Sequence, residues 1–211
     1  MNGMRTVKIG SKRVVHAVRA SAETDAVEWL MDGTAARGVV TIVAQETNDA
    51  IDALCASLDY AVRLASGVPK KIVSEEPETK GAIAELRVGR PCRVVCGIPL
   101  DDADCVAECA MLAIKLAEKI GTSQELLKTN LSVRACCTER DFERMVTHAR
   151  KFRADAIVII THSRTEIEMS ELVERLEAVA RSENIAVVTV ESFSTEVFND
   201  LLREWGLTNG A

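Results

Sequence analysis

This sequence predicts an α/β fold built on a mostly parallel sheet with helices on both faces, and three observations support it. Five aliphatic runs, Val39–Val43, Cys92–Ile98, Leu131–Cys137, Ala156–Ile160 and Ile185–Val190, each lead into a stretch with apolar residues at helical spacing. Strands alternating with helices imply βαβ crossovers, and hence parallel pairing. The composition is 47% hydrophobic but only 3% aromatic, so the core must be built from Val, Ile, Leu and Ala. Such residues suit strands buried on both faces, and the runs are expected to lack a polar face. All five should therefore share one sheet, with 156–161 away from its edge.

The first element is a hairpin, with β-prone segments Thr6–Ile9 and Arg13–Val18 flanking Gly10-Ser11-Lys12. Ser21 is placed to cap a helix running through Met31, with Ala26, Val27, Leu30 and Met31 on one face and Gly33 ending it. After Val39–Val43, a helix carries Ile51, Leu54, Cys55, Leu58 and Val62 on one stripe. Lys71–Val73 reads as a weak strand, and Pro77 as the start of a short helix ending near Gly89. Asp101-Asp102 lead from the next strand into a helix through Ile120. Thr138-Glu139 open another helix, with Phe142, Met145, Val146, Ala149 and Phe152 inward. The helix after Ile160 turns Leu172, Val173, Leu176, Val179 and Ala180 to the core, and the last helix does so with Val197, Phe198, Leu201, Leu202 and Trp205. No low-complexity stretch divides the chain, so residues 1–211 are expected to form a single α/β domain, with 1–35 as an appended hairpin plus helix.

Charge and cysteine usage bound the function. The net charge of −6 disfavours a dedicated nucleic-acid surface, which usually carries a basic stripe. No run approaches the ~18 apolar residues of a spanning helix, so no membrane association is expected. Met1–Gly10 holds no apolar signal core, which predicts a cytoplasmic location and reduced thiols for the seven cysteines.

Ligands of open parallel sheets bind beyond the carboxyl ends of the strands, which directs attention to the turns there. None is glycine-rich: G-x-G-x-x-G and G-x-x-x-x-G-K-[ST] are both absent, so no nucleotide cradle, and no cofactor, is expected. Thr161-His162-Ser163-Arg164 is the most suggestive turn. It follows the most apolar run and precedes a helix, whose N-terminus favours an anion. Arg164 is a bidentate donor suited to phosphate or carboxylate, and His162 titrates near neutrality. Glu46 and Glu191 end other strands and supply carboxylates if those strands are neighbours. The competing reading is local: Ser163 caps the helix, or Thr165 does so with Glu168 as a capping box.

The cysteines admit a metal reading as well. Cys92 and Cys96, on one strand, stand roughly 13 Å apart at ~3.3 Å per residue, too far to share an ion. Cys105 and Cys109 are one helical turn apart, so any thiolate set would be Cys96, Cys105 and Cys109 with Cys136 or Cys137, Cys136 being preferred. Against that, free cysteine is a small buried hydrophobe, and Cys105, Cys109, Leu112 and Leu116 form a core stripe; no metal is the expectation. No G-x-S-x-G elbow supports nucleophilic catalysis, and His16 and His148 read as structural or surface residues.

The stretch 155–205, DAIVIITHSRTEIEMSELVERLEAVARSENIAVVTVESFSTEVFNDLLREW, resembles the C-terminal domains of the release-factor/pelota family in its order of strand, helix, strand and helix. The chain as a whole resembles conserved archaeal, methanogen-type protein families of unknown function. Neither resemblance implies an activity or assigns a site residue. The sequence thus supports a protein holding a small anionic ligand at Thr161, His162, Ser163, Arg164, Glu46 and Glu191, with its status as an enzyme left open and a homo-oligomer compatible. The other reading is a non-enzymatic interaction module, RNA- or translation-associated, using a basic patch of Lys70, Lys71, Arg150, Lys151 and Arg153.

Overall fold

The structure, a computed structural model, describes residues 5–9, 14–20, 28–46, 50–73, 83–99, 103–161 and 169–193. In chain order the elements are β1 (Arg5–Ile9), β2 (Val14–Ala20), β3 (Trp29–Met31), β4 (Ala35–Ala36), β5 (Val40–Glu46) and α1 (Ala50–Ser66). Next come β6 (Lys70–Val73), β7 (Ile83–Leu86), β8 (Val94–Ile98), α2 (Ala103–Lys119) and α3 (Gln124–Asn130). The remainder is β9 (Leu131–Ala135), α4 (Glu139–Phe152), β10 (Ala156–Thr161), α5 (Met169–Glu183) and β11 (Ala186–Phe193).

Seven strands form one sheet in the order β1-β2-β5-β11-β10-β8-β9. The strands β5, β11, β10, β8 and β9 are mutually parallel, and the β1–β2 hairpin joins them antiparallel along β5. The five aliphatic runs thus share a sheet, and β10 lies inside it between β11 and β8. Apolar residues on the two sides of each strand build two cores. Val94, Cys96, Val158 and Val188 pack towards α1 and α2, with Leu127 of α3 in the same cluster. Val95, Ile157, Ile159 and Val187 pack towards Phe142 and Met145 of α4 and Leu172 and Leu176 of α5. The helices therefore cover both faces, as predicted. Gly97 permits the tight approach of α4: a Cβ there would stand 2.7 Å from Met145 Sδ and 3.1 Å from Cys136 Cβ.

Several elements differ from expectation. Trp29–Met31 is a strand, not the end of a helix. Its backbone is claimed from two sides: Gly33, at φ +64°, turns the chain back onto Ala35–Ala36, and Met31 bridges Val88 while Asp32 N donates to Arg87 O. Residues 83–89 hold no helix; Ile83–Leu86 pairs antiparallel with Lys70–Val73. The short α3 escaped notice, although Ser123 caps it by accepting from Leu126 N. The Leu131 run does have a polar face, since Ser132 and Arg134 alternate with Leu131 and Val133, and β9 accordingly lies at the sheet edge. Residues 21–27 and the helix expected at 197–205 lie outside the described residues.

Candidate functional site

Strand order defines where the carboxyl ends open. From β8 the chain moves outward through α2 and α3 to β9, while from β10 it moves the other way through α5 to β11. α2 lies on one face of the sheet and α5 on the other. Adjacent strands whose continuations diverge in this way leave a crevice beyond their carboxyl ends. The switch point is therefore between Ile98 and Thr161, the strand ends leading into Pro99 and into the Thr161–Arg164 segment.

Thr161 is the final residue of β10 and pairs in register with Glu191 of β11; Glu46, the last residue of β5, pairs with Phe193. The three strands that carry Thr161, Glu191 and Glu46 are therefore consecutive neighbours. Glu46 ends β5, whereas β11 runs past Glu191 to Phe193. His162, Ser163 and Arg164 lie outside the described residues.

Glu191 is the chemically unusual member. It is only 9% exposed, and its side chain shares the sheet face of Val187, the face covered by α4 and α5. Ala44, its register partner on β5, adds no polar group. Among the described residues, Glu191 Oε1 and the mid-sheet hydroxyl of Thr41 are the buried side-chain polar atoms with no hydrogen-bond partner. Burial without a compensating cation disfavours the carboxylate, so its pKa is pushed up to about 7. At neutral pH this group is divided between acid and base.

The thiols do not assemble a centre. Cys96 and Cys109 belong to the α1–α2 side of the sheet, Cys136 to the α4–α5 side, and Cys105 is only half-buried on α2. Among the described residues no group of three or more Cys, His, Asp or Glu is placed to hold a metal ion, and all seven cysteines are free. Burial pushes the thiols up, Cys92 to about 11 and Cys136 to about 12. Such groups are inert at neutral pH. The turn after β9 is likewise spent on structure: Thr138 and Asp141 close a capping box on α4.

The amino end of the sheet has the opposite character. Asp155 accepts from Arg37 Nη2 (2.6 Å), Arg90 Nη2 (3.0 Å) and Arg93 N (2.9 Å). Burial alone would raise its pKa, but the Arg93 amide and the Arg37 guanidinium outweigh it and hold the carboxyl below its ordinary value. Lys70 is equally committed: it is 2% exposed, with Nζ 2.8 Å from Asp59 Oδ2 and 3.7 Å from the centroid of the Tyr60 ring. Arg150 pairs with Glu183. The basic patch proposed from Lys70, Lys71, Arg150, Lys151 and Arg153 is therefore not formed as drawn, because burial in an ion pair removes Lys70 from it.

One constellation was missed altogether. At the sheet edge Ser132 Oγ lies 3.0 Å from His148 Nε2, and Arg134 Nε donates to Ser132 Oγ at 3.2 Å. The Arg134 Nη2 atom also stands 3.2 and 3.3 Å from the two ring nitrogens. Partial burial and the nearby cations Arg134 and Lys151 keep the imidazole below its ordinary pKa. A serine beside a neutral imidazole resembles a nucleophile–base pair, but the far ring nitrogen faces a guanidinium instead of the carboxylate that orients and stabilises a catalytic imidazolium. The polar alternation in Leu131–Ala135 was the available signal. Compared with protein-family models and with curated proteins, the chain matches none.

Proposed function

We propose that this protein binds a small anion, bearing phosphate or carboxylate, at the carboxyl end of its parallel sheet. The site spans the crevice between the ends of β8 and β10 and reaches Glu191 on the next strand. The observation that carries the reading is the buried Glu191, whose Oε1 has no hydrogen-bond partner among the described residues and whose backbone is in register with Thr161. Buried polar groups are almost always satisfied, so one left open at the ligand-binding end of an open sheet is best explained by a ligand. The segment between β10 and α5 (Met169–Glu183) supplies the complementary chemistry, with Arg164 as a bidentate donor. A protonated Glu191 donates a hydrogen bond to an anion, whereas an ionised one repels it. Anion binding is thus coupled to proton uptake and weakens as pH rises through about 7.

Thermal-shift titrations with phosphate and sulfate, below and above neutrality, test this. Phosphate is expected to raise the melting midpoint of the wild type more strongly in the acidic arm. Arg164→Ala should abolish the shift, and Glu191→Gln should remove its pH dependence. Lack of any anion-dependent shift in the wild type, or an Arg164→Ala response equal to wild type, refutes the proposal in favour of a purely structural helix cap.

A further inference from the structure

The helix α4 segregates its charges. Its carboxylates are occupied: Glu139 and Glu143 hold Arg175 of α5 at 3.1 and 2.5 Å, and Asp141 accepts from Thr138 in the capping box. Its outer cations are not neutralised in this way. Among the described residues Arg140 and Lys151 have no acidic partner, and Arg144 has only Asp141 at 3.8 Å. Arg140, Arg144, Thr147, His148 and Lys151, with Glu143 turned to Arg175, line an open groove of about 420 Å³. Successive spacings of three and four positions put these residues on one helix face, roughly 6 Å apart along the axis at ~1.5 Å per residue. Arg134 and Ser132 of β9 extend the row through their contacts with His148. In a chain of net charge −6, this concentration of cations with at most one long ion pair among the described residues is not a consequence of composition.

We propose that this edge of the sheet docks the phosphodiester backbone of a single nucleic-acid strand. A small phosphate ester is held by groups converging on one point inside a pocket. Here the donors form a row along an open groove, which matches a repeating anion. Arg134, Arg140 and Arg144 are bidentate donors, Ser132 and Thr147 add hydroxyls, and Lys151 adds a point charge. The His148 ring, stacked on Phe152 with centroids 5.7 Å apart, offers an aromatic surface beside the row on which a base can stack. The groove shares no residue with the proposed carboxyl-end site, so the two proposals stand or fall separately.

The test is fluorescence anisotropy of a labelled polyuridylate dodecamer with the full chain between about 50 and 200 mM salt. Four phosphate contacts predict a slope of log K against log salt of about −3, at ~0.7 per contact on single strands. The exposed pair Arg140→Gln/Arg144→Gln should weaken binding about tenfold or more and lower the slope by about 1.4. Arg181→Gln on α5, whose partner is Glu177, should change neither. Melting curves confirm that both variants are folded. Failure of the wild type to bind at the lowest salt overturns the proposal, as does a double variant that binds like wild type. Equal loss in Arg181→Gln overturns it too, since the attraction would then be diffuse. Full displacement by inorganic phosphate or uridine monophosphate at constant ionic strength would also overturn it, in favour of a phosphomonoester site.

Discussion

Replacing Glu191 by glutamine isolates the energetic consequence of burying an unpartnered carboxyl. The pKa of this group rises from 4.5 to about 7 on folding. Each tenfold difference is worth ~1.4 kcal/mol, so ionising it in the folded chain costs about 3 kcal/mol relative to the unfolded chain. The sign follows from which state holds the proton. Below pH 4.5 both states are protonated and the group is neutral to stability. Between 4.5 and about 7 the unfolded chain ionises while the folded chain does not, so stability falls. Above that window both are ionised, and the loss has reached its full value. The glutamine variant has the same shape but no proton to release. Wild type and variant should therefore be nearly equal in stability near pH 4.5 and diverge by about 3 kcal/mol at pH 8, the variant being the more stable. For a chain of this size that is a gap of roughly 6–12 °C in melting temperature. Calorimetry or urea unfolding of both proteins across this range reads the difference directly, and other carboxylates cancel in the subtraction. Parallel stability curves from pH 5 to 8 would show that Glu191 is solvated or paired in solution, and would remove the main support for a ligand site beside it.

The remaining expectations concern the structural polar groups, the packing and the thiols. Asp59→Asn should cost about 3 kcal/mol in urea unfolding, because it strands the buried Lys70 ammonium; Lys70→Met should change stability by less than about 1 kcal/mol, because Asp59 keeps Arg63 at 2.8 Å. Equal losses in the two variants would contradict this asymmetry. Gly97→Ala should destabilise by about 1–3 kcal/mol through overlap with Met145 and Cys136, and a variant as stable as wild type would mean that α4 packs less closely on β8. In iodoacetamide labelling mapped by mass spectrometry, the half-buried Cys137 should react before Cys96 and Cys136, whose burial raises their pKa; simultaneous labelling would refute the burial assigned to them.

The alternation of aliphatic runs and amphipathic helices was legible because it is local: a run such as Ala156–Ile160 announces burial on both faces, and the stripe Phe142, Met145, Val146, Ala149 announces the face of α4. What failed was decided by distant backbone. Ala26, Val27, Leu30 and Met31 share helical spacing, but the hydrogen bonds that make Trp29–Met31 a strand come from Ala36 and from residues 87–89. Glu191 follows an aliphatic run that ends at Val190, yet β11 continues through Phe193 because β5 offers it a ladder as far as Glu46. The register that sets Thr161 beside Glu191 depends on strand order, which no local pattern encodes. The same holds for the Ser132–Arg134–His148 cluster, since neither β9 nor α4 alone reveals that the other lies against it.

The two ends of the parallel sheet differ in how their polar groups are satisfied. At the amino end Asp155 gathers Arg37, Arg90 and the Arg93 amide, tying the segment before β5, the start of β8 and the start of β10 to one carboxylate. A hub of that kind lowers the pKa of its acid and leaves no valence for a ligand. At the carboxyl end Glu191 has a raised pKa, and among the described residues its Oε1 meets no hydrogen-bond partner. Packing does not require this, for an aliphatic residue at that position would continue the Val187, Thr189 row without the desolvation cost of an ionisable group. An acid held by three donors at one end, against one whose Oε1 meets no donor among the described residues at the other, is the asymmetry expected when binding is confined to the ends of strands. The open valence at Glu191 is therefore the feature from which a ligand search on this protein should start.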